Sequence, residues 1–151
     1  MSENVVKVSM TSLAPIVEER INTGKTVEIT VTGESMYPLF HGGRDKVTLA
    51  PIKKLKRKMI CFYKRDDGSY ILHRIIRIKK NEIFCVGDNQ TFIEGPLRKD
   101  QFIARVTEFE RKGKKSSVSA LWCKIYSFVW CIKVSFRPKL FHILLKLKGR
   151  K

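Results

Sequence analysis

The chain is expected to be mainly β: a small, coiled antiparallel domain preceded by a short helix and followed by a basic, apolar, helical tail. Three observations carry that expectation. Apolar and polar residues alternate with a period of two in short runs between residues 26 and 109. Gly- and Asp-containing turn signals separate the runs. Twelve of the 31 Lys and Arg lie beyond Glu110 with none of the 14 Asp and Glu, so the composition breaks there. A length of 151 residues suits one core without disulfide or metal staples.

Residues 12–24 read as the first helix. Ser12 can cap it, Gly24 offers a left-handed stop, and Leu13, Ile16, Val17 and Ile21 recur at helical spacing as its buried stripe. From Lys25 the period changes. Val27, Ile29 and Val31 alternate with Glu28, Thr30 and Thr32 as in a half-buried strand, which Gly33 ends. Gly42 and Gly43 turn the chain into a second strand over residues 45–50. Residues 59–64 and 70–78 flank Asp66-Asp67-Gly68-Ser69, a strong hairpin turn. Residues 82–86 follow a polar turn, and residues 102–109 are the last clear strand. The charged run over 111–117 reads as a hinge. Beyond it lie two apolar, basic segments, roughly 118–136 and 139–147, divided by Pro138. The expected organisation is therefore an N-terminal helix (1–24), a β-domain (25–110) and a basic amphipathic tail (111–151).

Residues 1–10 lack the continuous apolar stretch of an export signal, and nothing before residue 110 is long and apolar enough to span a bilayer. The expected location is the cytoplasm. Cys61, Cys85, Cys123 and Cys131 show no C-x-x-C spacing, which argues for buried free thiols over a metal knuckle or a disulfide framework. No cofactor or metal is implied.

Three short motifs carry chemistry. In Thr32-Gly33-Glu34-Ser35-Met36-Tyr37-Pro38, a serine follows a strand end where Gly33 permits a tight turn and Pro38 stiffens the exit. In Ile71-Leu72-His73-Arg74-Ile75, a titratable ring shares a strand face with Ile71 and Ile75, where a core residue belongs. In Val86-Gly87-Asp88-Asn89-Gln90, a polar turn follows an apolar strand. Each has an ordinary reading, respectively a turn serine, a satisfied core histidine and a capped loop.

Together and in this order, over about residues 25–110, the motifs G-E-S-M-Y-P, H-R-I and G-D-N resemble the signal-peptidase and LexA-type serine peptidases. The H-R-I motif is similar to the histidine-base branch, which includes the endoplasmic-reticulum, archaeal and sporulation-type signal peptidases. The resemblance implies a serine endopeptidase with Ser35 as nucleophile and His73 as general base, cutting a leader, signal or precursor peptide by acyl transfer. An imidazole with an ordinary pKa near 6.5 is suited to that proton transfer. A carboxylate should orient it, and the resemblance leaves Asp88 and Glu94 both open. The family position is six beyond the Asp of G-D-N, where this chain has Glu in place of the usual Asp. Gly33, Glu34, Met36 and Pro38 would bind substrate, which the family adds as a strand beside residues 26–32. Gly33 stands where the histidine branch usually has a serine able to donate to the oxyanion. The hole would then rest on backbone N–H groups, including that of Ser35.

The family's usual N-terminal membrane anchor has no counterpart in residues 1–24. The tail, with Trp122, Tyr126, Phe128, Trp130 and Phe136 among its lysines and arginines, is expected to lie on an anionic membrane surface rather than to span it. Specific nucleic-acid binding is not expected, since no helix-turn-helix fits in the first 25 residues. The alternative is a non-catalytic relative that binds peptides or membranes. Self-cleavage at the 113–117 hinge is a third possibility.

Overall fold

The computed structural model describes residues 10–132 and 134–148. Residues 1–9, read above as free of an export signal, lie outside them, as do Lys133 and residues 149–151. The molecule is mainly β, with eight antiparallel strands and three α-helices among the described residues.

Helix α1 (Met10–Asn22) ends as the sequence suggests. Gly24 has φ +78°, Lys25 N–H reaches the Arg20 carbonyl, and Gly24 N–H reaches that of Ile21. This is the six-to-one and five-to-two pattern that satisfies the last carbonyls of a helix. Its buried stripe is Ala14, Val17 and Ile21. Ile16, expected inside, is 55% exposed. Ala14 lies three residues before Val17 and seven before Ile21, and that row meets the sheet instead.

The strands are β1 (Val27–Thr30), β2 (Lys46–Ala50), β3 (Ile60–Lys64), β4 (Tyr70–Lys79), β5 (Glu82–Val86), β6 (Glu94–Leu97), β7 (Phe102–Arg111) and β8 (Lys114–Ser117). Their order across the sheet is β1-β2-β7-β3-β4-β5-β6. β7 is central: its second half pairs β2, its first half pairs β3, and β8 folds back on its end. Register shifts in the β2–β7, β3–β7 and β4–β5 ladders insert extra residues and coil the sheet. One core holds Ile29, Met36, Phe40, Val47, Phe62, Val106 and Phe109 with α1. A second, on the other side of the β3–β4 hairpin, holds Cys61, Tyr63, Ile75, Ile83 and Cys85.

Three expectations are corrected here. β6 was not foreseen: Glu-Gly-Pro-Leu has no alternation, and its proline is tolerated because β6 is an edge strand. The charged hinge at 111–117 is a β-hairpin, with Lys112 (φ +51°) and Gly113 (φ +76°) as its two-residue turn. The boundary at residue 110 also fails, because helix α2 (Leu121–Ile132) packs on the sheet through Cys123, Trp130 and Cys131. Helix α3 (Arg137–Lys148) begins against α2 and the G-D-N loop.

Candidate active site

Ser35 lies in the turn between β1 and β2. The β1 ladder stops at Thr30, and Val31 then donates its N–H to the Asp45 carbonyl (2.9 Å) and accepts from Gly43 N–H (2.8 Å). Gly33 follows with φ +70°, a conformation that costs a residue bearing a Cβ. The turn closes through Tyr37 N–H to Glu34 O and Phe40 N–H to Met36 O. Met36, Leu39 and Phe40 are buried, so the apolar residues after the serine pin the turn to the core while Ser35 stays half-buried. Asp45 closes its base, accepting from His41 N–H (2.8 Å) and from two nitrogens of Arg44. Burial opposes the Asp45 charge, yet these donors outweigh it and hold the carboxyl below the usual range.

Ser35 opens onto a cleft of about 250 Å³. Ile29, Val31, Gly33 and Met36 line it from β1 and the serine turn, and Phe62, Tyr70, Ile71 and Leu72 from β3 and β4. β1 pairs only with β2, and the β4–β5 ladder begins only at Arg74. Both strands therefore bring an unpaired backbone edge to this region among the described residues. Of the residues that the resemblance gives to substrate binding, Gly33 and Met36 line the cleft. Glu34 instead faces His41 (3.2 Å), and the Pro38 carbonyl accepts from Arg111 (3.4 Å).

His73 follows Leu72 on β4, opposite Cys61 on β3, and is 4% exposed. The hairpin register sets Tyr63 beside it on the same face. Tyr63 Oη donates to Glu94 Oε2 (2.7 Å) and stands 3.3 Å from His73 Nδ1, so an Nδ1–H can donate to the phenol oxygen. Glu94 Oε2 is also 3.8 Å from Nδ1 directly. Arg65, in the turn after β3, grips both oxygens of Glu94. Burial opposes the Glu94 charge, but hydrogen bonds from Arg65 and Tyr63 keep its pKa below the usual carboxylate range. Burial is also the main influence on His73. It overrides the pull of Glu94 and brings the imidazole pKa down to about 4. Among the described residues no hydrogen bond joins Ser35 to His73.

Asp88 is committed elsewhere. It receives Arg74 Nε (2.8 Å) and Nη2 (2.7 Å) in a pair with no exposed side-chain surface, and Tyr126 Oη at 3.1 Å. The carboxylate beside His73 is thus that of Glu94, and Asp88 ties the sheet to α2. The G-D-N loop still serves the serine from behind. Asn89 N–H donates to Ser35 O (2.8 Å), and a Cβ on Gly87 would come within 2.5 Å of that oxygen. Arg137 donates to the Gly87 carbonyl (2.7 Å), and Trp130 Nε1 to that of Asp88 (2.7 Å).

Sequence reasoning did not single out Tyr63, Arg65 or Arg137 for the site, and it named Asn89 only as part of the G-D-N motif. Tyr63 had only an approximate signal: counting out from Asp66 and Ser69 pairs 63 with 72, and the observed pairing of 63 with 71 arises because Arg65 also joins the turn. Arg137 had none. All four cysteines are buried and unpaired, and burial pushes the Cys61 thiol up to about 12, so it stays protonated and a poor nucleophile. The chain matches no family model, no curated protein and no solved structure.

Proposed function

We propose that this chain is a serine endopeptidase of the signal-peptidase type, cutting a leader, signal or precursor peptide. The cleft carries the reading: a half-buried serine opens onto a slot lined by two strands with unpaired edges, one of which continues into His73. A peptide laid there as an added strand gains main-chain hydrogen bonds. The apolar lining from Ile29, Val31, Met36 and Leu72 suits small or aliphatic side chains before the cut.

In the mechanism, neutral His73 takes the Ser35 proton as Oγ attacks the scissile carbonyl, then returns it to the leaving amine, and water completes the cycle through the same base. Glu94 holds the Nδ1–H tautomer through Tyr63, leaving Nε2 as the basic nitrogen. Ser35 N–H, which makes no backbone hydrogen bond among the described residues, supplies an oxyanion donor. Closure of Ser35 on His73 belongs to the substrate-bound state, since such bonds often tighten only in the Michaelis complex.

Cleavage of a pooled leader-peptide library by the purified chain, beside Ser35→Ala and His73→Ala, tests this. Wild-type cleavage with losses on the order of 10⁴-fold or more in each variant is expected. One pair of observations favours a second reading, a relative that binds peptides without cutting them. A pKa near 4 makes His73 a weak base, and the serine is not hydrogen-bonded to it. Peptide binding of equal affinity in wild type and Ser35→Ala, with no product from either, is that reading's signature.

A further inference from the structure

Helix α2 is apolar on two faces. Cys123, Trp130 and Cys131 pack inward, with Tyr126 and Ser127 hydrogen-bonded to the sheet side. On the opposite arc, Leu121, Ile125, Phe128, Val129 and Ile132 fall at helical spacing, each between 41% and 74% exposed. A helix with apolar faces on both sides calls for two apolar neighbours, and the protein supplies one. Where α2 meets the sheet lies a cavity of about 330 Å³ whose wall sets Lys56, Arg57, Lys58, Arg105 and Lys124 among apolar residues such as Ile60 and Val106, with no acidic residue. Cation and apolar groups interleave along this margin: Lys58 Nζ stands 4.8 Å over the Phe128 ring, and Arg111 lies 5.8 Å over Trp122.

We infer that this face docks on an anionic lipid bilayer. The Leu121–Ile132 arc enters the boundary between headgroups and acyl chains, and the cationic cavity beside it receives lipid phosphate. Charge complementarity selects this occupant over a second copy of the chain. Two such faces brought together would set the same cations against each other, since residues 111–151 carry twelve Lys and Arg and no Asp or Glu. A bilayer with acidic headgroups satisfies both halves of the surface at once. The helix lies along the surface: twelve residues span about 18 Å, short of the roughly 30 Å hydrocarbon core. No described helix is long and apolar enough to cross. The inference does not rest on the peptidase reading, and its test reads binding rather than cleavage.

The test is flotation of the full chain with vesicles of phosphatidylcholine alone or mixed with phosphatidylglycerol. Compared with it are Ile125→Glu/Phe128→Glu and Lys56→Gln/Lys124→Gln, all at exposed positions whose replacement leaves the core intact. Wild type is expected to float with the anionic vesicles and release at high salt. The glutamate pair should weaken binding at least tenfold, and the glutamine pair by about fivefold per lysine, with circular dichroism and Tm of each variant unchanged. Three results overturn the inference: equal binding to neutral and anionic vesicles, full binding by the glutamate pair, or self-association in the absence of lipid that the glutamate pair abolishes.

Discussion

A histidine only 4% exposed is a different base from one in water. Its pKa of about 4 lies below the ordinary 6.5, so the imidazole stays neutral across the range in which a free histidine would protonate. The acid limb of kcat/KM is therefore expected near pH 4 rather than near 6.5, which a pH–rate profile on a short peptide substrate will read. Stability follows the same sign. Between pH 6.5 and 4 the unfolded chain binds a proton that folded His73 refuses, so its contribution is present above 6.5 and gone below 4. Glu94→Gln removes the carboxylate that orients the ring and is expected to lower kcat by roughly 10²–10⁴, with little change in KM. The oddness of His73 was visible in the sequence because it breaks the apolar row of Ile71 and Ile75. Its carboxylate was not decidable there. Glu94 reaches it from a four-residue strand whose Gly-Pro centre hides any alternation, whereas Asp88 sits in the more conspicuous motif.

Among the elements, the sequence displayed those whose partners are near in the chain. The 60–64 and 70–79 strands announce themselves as apolar-rich runs on either side of a strong turn signal. β8 and the placement of α2 were hidden for a physical reason: Lys-Lys-Ser-Ser has no apolar rhythm, and an element apolar all round does not say which face goes inward. The inward face was set by polar groups, with Tyr126 and Trp130 bonded to Asp88, and Ser127 to Arg74. This makes Asp88 a structural residue, and its variant should behave unlike that of Glu94. Asp88→Asn leaves the buried Arg74 charge without its partner and is expected to cost about 3–5 kcal/mol, read as a drop in the urea midpoint. Glu94→Gln, at a half-buried site that keeps a hydrogen-bonding amide, should move that midpoint far less.

Across the whole molecule, β7 joins two parts that are each continuous in sequence. β1 and β2 form one, carrying the Ser35 turn, and β3 to β6 form the other, carrying His73 and Glu94. Its pairings with β2 and β3 are the only ladders between them among the described strands. Amides of β7 facing those ladders, Ala104 and Val106 among them, are expected to exchange with solvent only by global opening, as native-state hydrogen exchange will show. Apart from β6, both halves could be read from the sequence, but their union by the last long strand could not, because nothing local in residues 102–109 names its neighbours.

That strand order sets a timetable for the ribosome. Ser35 and His73 have both been translated well before Arg111, and at about 5–20 residues per second the interval is a few seconds. Until β7 is made, the serine turn and the histidine hairpin belong to separate fragments, and the cleft that needs both has no walls. On the proposed function, an unfinished copy consequently has no assembled cleft to offer a peptide.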